Sequence, residues 1–127
     1  MRSLDTNCLL RLLVRDVPEM TARMTAIIKS GERLRVADTA LIEMIYALET
    51  SYSLHRAEVA EVMWALMGEI ALDFDRSLWK TIIETYVTNP KLSCTDIYLV
   101  LDAQSHDALP LLSFDKKLIT QMGAVSP

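Results

Sequence analysis

The sequence predicts an α/β fold in which helices cover both faces of a mainly parallel sheet. Short apolar segments alternate with longer stretches whose apolar residues recur at helical spacing, the order expected of parallel strands joined by helical crossovers. The 127 residues are 51% hydrophobic and 24% charged, enough to enclose a core and far from the composition of a disordered chain. No internal repeat, low-complexity tract or linker interrupts the pattern, so residues 1–127 are expected to form one domain.

Arg2 to Leu4 reads as a first strand running into Asp5-Thr6-Asn7, a polar helix-start signal, with a helix over Cys8 to Val14. Pro18 suits the first turn of the next helix, where Val17, Met20, Met24, Ile27 and Ile28 repeat at helical spacing until Gly31. Leu34 to Ala37 reads as a second strand, after which Asp38 or Thr39 is placed to cap a helix from Ala40 to about Ser51. Val59, Val62, Met63, Leu66 and Met67 mark one face of another helix, with Gly68 as its terminator. A brief strand over Ile70 to Leu72 follows, then a helix opened by Asp75 and running through Leu78, Ile82, Ile83 and Tyr86. Beyond the Asn89-Pro90 loop, Cys94 or Thr95 is expected to cap a helix near Ile97 to Ser105. Leu109 to Leu112 reads as a buried strand, Asp115 caps a short helix over Lys116 to Gln121, and Ala124 to Val125 closes the chain as a terminal strand.

Composition narrows the function classes. Cys8 and Cys94 stand 86 positions apart, with no Cys or His nearby, and read as small buried hydrophobes in a reducing compartment. With only His55 and His106 available, a histidine-rich metal site is not expected. Charges break every apolar run before the roughly 18 residues of a membrane span. Arg2, Asp5, Arg11, Arg15 and Asp16 interrupt any signal-peptide core, so a cytoplasmic location without membrane attachment is expected. The net charge of −4 is unevenly spread: residues 1–37 carry seven basic and four acidic groups, and residues 38–127 carry six and thirteen. The basic N-terminal third could meet phosphates, although it lacks the stripe of a dedicated nucleic-acid binder.

Four carboxylates are candidates for chemistry. Asp5, Asp96 and Asp115 each follow an apolar segment at a loop-to-helix junction, where an acidic side chain also serves as a cap. In a parallel sheet, ligands bind beyond the carboxyl ends of the strands, and two of the three follow expected strand ends directly, so the fold should deliver those two to one edge of the sheet. Glu43 stands within Ala40-Leu41-Ile42-Glu43-Met44-Ile45-Tyr46, with no Lys or Arg inside one helical turn. A carboxylate on a buried helix is costly unless paired, protonated or bound to a cation, and the other reading is a narrow solvent-facing strip. Were the four to converge, each pair about 4 Å apart would repel by roughly 4 kcal/mol at an effective dielectric near 20, demanding a counter-charge. An all-oxygen acidic set suits Mg²⁺ or Mn²⁺, and the chemistry expected of it is phosphodiester hydrolysis.

Leu4-Asp5-Thr6-Asn7, Glu43 in its apolar helix, Thr95-Asp96-Ile97-Tyr98-Leu99 and Leu111-Leu112-Ser113-Phe114-Asp115 together resemble the PIN-domain nucleases, and most of all the VapC-type toxins of bacterial toxin–antitoxin pairs. The resemblance spans nearly the whole chain, in the family's order, with 38, 53 and 19 positions between successive acids. It implies a three-layer α/β/α fold with a central parallel sheet and a Mg²⁺ site that cuts RNA, often in a homodimer that binds an antitoxin protein. Asp5, Glu43, Asp96 and Asp115 match the family's acidic positions, and Thr6, Asn7 and Ser113 match neighbours that orient ligands or waters. Ile97-Tyr98 departs from the small residues usual after the third acid, and Asp102 stands where a small apolar residue is common.

Two other readings compete. An aspartyl-phosphate enzyme with Asp5 as nucleophile normally carries a second Asp two positions later, where this chain has Asn7. A non-enzymatic PIN-like module could instead bind a protein partner through helices rich in Leu and in the chain's seven methionines.

Overall fold

A computed structural model describes residues 1–127 as an α/β chain of seven helices and a three-stranded, all-parallel sheet. The chain divides into two compact units, Met1–Asp75 and Arg76–Pro127. No helix is long and apolar enough to cross a membrane.

The first unit holds the sheet. Strands β1 (Arg2–Leu4), β2 (Leu34–Val36) and β3 (Leu72–Asp73) lie in the order β1-β2-β3, with Arg2 opposite Leu34, Leu4 opposite Val36 and Leu34 opposite Leu72. Parallel neighbours need long crossovers. Here α1 (Thr6–Leu13) and α2 (Pro18–Lys29) make the first, and α3 (Asp38–Thr50) and α4 (Arg56–Met67) the second. Leu34, Val36 and Leu72 are buried, whereas Arg35 between them is exposed.

Local sequence accounts for these helices. In α1 the Asp5 carboxylate caps the start, and Leu9, Leu10 and Leu12 supply the buried stripe that meets α2 and α3. Pro18 opens α2, where its missing N–H costs nothing, and Gly31 follows the helix at φ +82°, a conformation that favours glycine. On α3 the buried stripe is Leu41, Met44, Ile45 and Leu48. The expected Asp38 or Thr39 cap is not formed there; Ala37 takes the cap position and Asp38 is the first helical residue, where its charge still favours the helix N-terminus. In α4 the Glu58 side chain accepts a hydrogen bond from the His55 backbone N–H at 3.0 Å, and Gly68 ends the helix. The strand expected over Ile70 to Leu72 begins instead at Leu72, and Ile70 is 83% exposed.

The second unit is helical: α5 (Arg76–Thr88), α6 (Cys94–Ser105) and α7 (Lys116–Met122). The buried stripe of α5 is Trp79, Ile82, Ile83 and Tyr86, with Trp79 and not Leu78 as its first member. Trp79 stacks on Tyr98 of α6, ring centroids 6.0 Å apart and planes 24° from parallel. Ser93 caps α6, in place of the expected Cys94 or Thr95: its hydroxyl accepts from the Asp96 N–H at 3.1 Å, and the Asp96 carboxylate accepts from the Ser93 N–H at 3.4 Å. Asp115 caps α7 as expected.

The segment Leu109 to Leu112 is not the buried strand its composition suggests. Leu109 and Leu112 are exposed, and the only ladder contact is an isolated parallel bridge between Leu112 and Val125. Pro110 has no N–H to donate to a sheet, which confines this stretch to a short, open pairing.

Candidate acidic site

Within the first unit, the carboxyl end of β1 delivers Asp5 and Thr6, and the second turn of α3 delivers Glu43. Thr6, the residue after Asp5, ties the start of α1 to Glu43. Its hydroxyl lies 3.1 Å from a Glu43 carboxylate oxygen and 3.2 Å from the Ala40 carbonyl, so a single proton is shared between two acceptors on α3. Asp5 accepts a hydrogen bond from the Cys8 backbone N–H at 2.9 Å. That bond, helped by the Cys8 thiol and the Asn7 N–H, holds the Asp5 carboxyl below its ordinary pKa, so the group stays ionised into mildly acidic solution. Asn7 is exposed one residue along α1.

Glu43 is exposed, which overturns the expectation of a carboxylate on a buried helix face. Glu43, Tyr46 and Thr50 repeat three and four positions apart and form the solvent-facing stripe of α3, with Tyr46 66% exposed. What singles Glu43 out is its Thr6 partner and not a cost of burial.

In the second unit the candidates act at helix starts. Asp96 is half-buried in the reciprocal cap with Ser93. The Ser113 hydroxyl accepts from the Asp115 N–H at 2.9 Å, and Asp115 accepts from the Lys117 N–H at 2.9 Å. Asp102 pairs with His106 at 3.5 Å. The His106 imidazole also bonds the Asp102 carbonyl at 2.8 Å, and that bond and the Asp102 charge raise its pKa. Within neither unit do three or more His, Cys, Asp or Glu side chains gather closely enough to hold a metal ion by themselves.

Two features of the first unit were not anticipated from sequence. A groove of about 320 Å³ runs between α1 and α2. Asp5, Cys8 and Arg11 line one side, and Met20, Arg23, Met24 and Ile27 the other. Burial and the neighbouring Asp5 push the Cys8 thiol above its ordinary pKa, with Arg23 opposing them. The sequence signal was present in Cys8 and Arg11, three and six positions after Asp5, but finding the groove requires knowing that α2 folds back along α1.

The second feature is a polar lock behind that groove. Arg11 donates to Asp16 at 2.8 Å, and the Tyr52 hydroxyl donates to the other Asp16 oxygen at 2.8 Å, linking α1 to the segment after α3. The Tyr52 hydrogen bond and the Arg11 charge lower the Asp16 pKa, whereas burial and Asp16 raise that of Tyr52. A carboxyl with a depressed folded pKa stabilises the native state above its unfolded pKa, about 3.9, and loses that contribution as pH falls through the folded value. Urea midpoints measured from pH 5 to pH 3 are therefore expected to decline less steeply in Asp16→Asn than in wild type, even though the variant is less stable at pH 7. Parallel declines would show that the lock carries no linkage to pH.

No protein-family model, curated protein or solved structure matches this chain.

Proposed function

We propose that this chain is a Mg²⁺-dependent endoribonuclease of PIN-like fold, acting as the toxin of a toxin–antitoxin pair. The observation that carries the reading is the placement of Asp5 at the carboxyl end of a parallel strand and of Glu43 on α3, where its carboxylate accepts from the hydroxyl of Thr6, the residue after Asp5. The seven helices and all-parallel sheet are compatible with a three-layer α/β/α arrangement, and the motif order of the sequence supports it.

The donor chemistry fits the metal. Mg²⁺ prefers hard oxygen ligands and is commonly held by one or two carboxylates, its remaining positions filled by waters and substrate phosphate. This reading gives the ion to Asp5 and Glu43 of the first unit and to Asp96 and Asp115 of the second, all four by resemblance. When bound, the ion would supply a counter-charge for the phosphate and activate water for in-line attack. The chain's own contributions are then distinct. The Cys8 N–H keeps Asp5 charged, the Thr6 hydroxyl fixes one oxygen of Glu43, and the Ser113 hydroxyl fixes the backbone turn that leads into Asp115. Exposed apolar side chains at Leu109, Leu112 and Phe114, the last 82% exposed, suit burial against an antitoxin protein or a second copy in a homodimer.

Incubating end-labelled RNA with the purified chain tests the reading. Cleavage is expected with Mg²⁺ or Mn²⁺ and not with excess EDTA, leaving a 5′-phosphate and a 3′-hydroxyl. Undiminished cleavage in EDTA, or none under any condition, would remove the assignment. A stable complex with a partner protein in the absence of any cleavage would favour the binding module instead.

A further inference from the structure

We infer that the groove between α1 and α2 is a nucleotide subsite for single-stranded RNA, in which Arg23 holds a backbone phosphate beside Asp5. The inference rests on the nuclease reading and extends it to a residue outside the four acids and their polar neighbours.

The groove offers two kinds of surface. Its wall is apolar and polarisable, with Met24 buried, Ile27 half-buried and Met20 exposed at the lip. Such a wall suits the flat face of a base without selecting its identity. Its free charge is cationic. Arg2, Arg11 and Arg33 are engaged by Glu32, Asp16 and Asp73, whereas Arg23 forms no ion pair and is exposed at the groove. With Arg11 held by Asp16, and with Asp5 assigned to a cation by the nuclease reading, Arg23 is the charge left for a substrate. A nucleotide presents an apolar plane and an anionic phosphate together, and a volume of about 320 Å³ lies at the small end of ligand pockets. The excess of basic over acidic groups in residues 1–37 acts in the same direction at longer range.

The inference places Arg23 as a positioning residue for RNA and leaves the hydrolytic chemistry to the acids. Its test is equilibrium binding of a fluorescein-labelled, cleavage-resistant phosphorothioate single-stranded RNA 12-mer, measured at fixed Mg²⁺ and several salt concentrations so that Asp5 keeps its cation and no cleavage intervenes. Arg23→Ala is expected to weaken binding roughly tenfold, the loss of one charge-assisted contact. It should also make the slope of log affinity against log salt shallower by about 0.7, one phosphate contact on a single strand. Arg23→Lys should keep the slope, and Met20→Asp, which adds a negative charge at the exposed lip, should weaken binding without unfolding the chain. Wild-type binding with an unchanged affinity and slope in Arg23→Ala would overturn the subsite while leaving the nuclease reading intact. Absence of both RNA binding and metal-dependent cleavage in wild type would overturn the two together.

Discussion

Replacing Asp5 by asparagine is expected to reduce Mg²⁺-dependent RNA cleavage by about a thousandfold, the rate equivalent of several kcal/mol of lost charge stabilisation. Thermal unfolding should scarcely move. The two halves of this expectation separate the helix cap that Asp5 forms from the cation ligand of the proposed function. As a cap, the side chain needs only an oxygen that accepts from the Cys8 N–H at 2.9 Å, and asparagine serves a helix N-terminus as well as aspartate does. As a cation ligand, it needs its negative charge. Asp5→Ala removes both and should add a stability loss of about 1 kcal/mol. Glu43→Gln is the companion variant, because a glutamine oxygen can still accept from the Thr6 hydroxyl while the charge is gone. Cleavage by Asp5→Asn at the wild-type rate would leave Asp5 as a helix cap and nothing more.

The capping role explains why the aspartates are legible in the sequence while their surroundings are not. Asp5 and Asp115 announce themselves because a carboxylate before a helical run is a local signal, and both residues do cap the helices expected of them. Asp96 stands three positions past the cap: it closes a reciprocal cap begun by Ser93, which local composition does not distinguish from Cys94 or Thr95. Glu43 is not marked by burial. Its flanking residues are apolar on both sides, but a helix turns 100° per residue, and Glu43 shares its face with exposed Tyr46 and Thr50 and not with buried Met44 and Ile45. The Thr6–Glu43 bond spans 37 positions and arises from the packing of α1 on α3, information that no window of sequence contains.

The fold shows the same division. Pro18 and Gly31 bracket α2 closely, Gly68 ends α4, and the alternation of strand and helix through β3 is as read from the residues. The misreadings fall where apolar composition was taken for burial. Ile70 and the Leu109–Leu112 segment are apolar yet largely exposed, because short segments have too few backbone partners to compel pairing, and Pro110 removes one donor outright. In α5 the buried stripe runs through Trp79, Ile82, Ile83 and Tyr86, with the expected Leu78 beside it and not in it.

Trp79 is also where the largest loss of stability is expected. It is completely buried, and its ring stacks on Tyr98 across the α5–α6 packing. Removing a buried Trp side chain typically costs about 3–5 kcal/mol, and the aromatic pair adds to what is lost. Against a total stability of roughly 5–15 kcal/mol, Trp79→Ala should lower the thermal midpoint by about 10–20 °C. Trp79→Phe keeps a ring against Tyr98 and leaves a smaller void, so its midpoint should lie between those of Trp79→Ala and wild type. The consequence reaches function because α6, held by this stack, begins with the Ser93–Asp96 cap. Under the nuclease reading, Trp79→Ala should lose cleavage in proportion to its unfolded fraction near the midpoint, unlike Asp5→Asn, which stays folded and inactive. A Trp79→Ala midpoint only a few degrees below wild type would mean that the void collapses and that the α5–α6 packing is not held by this residue.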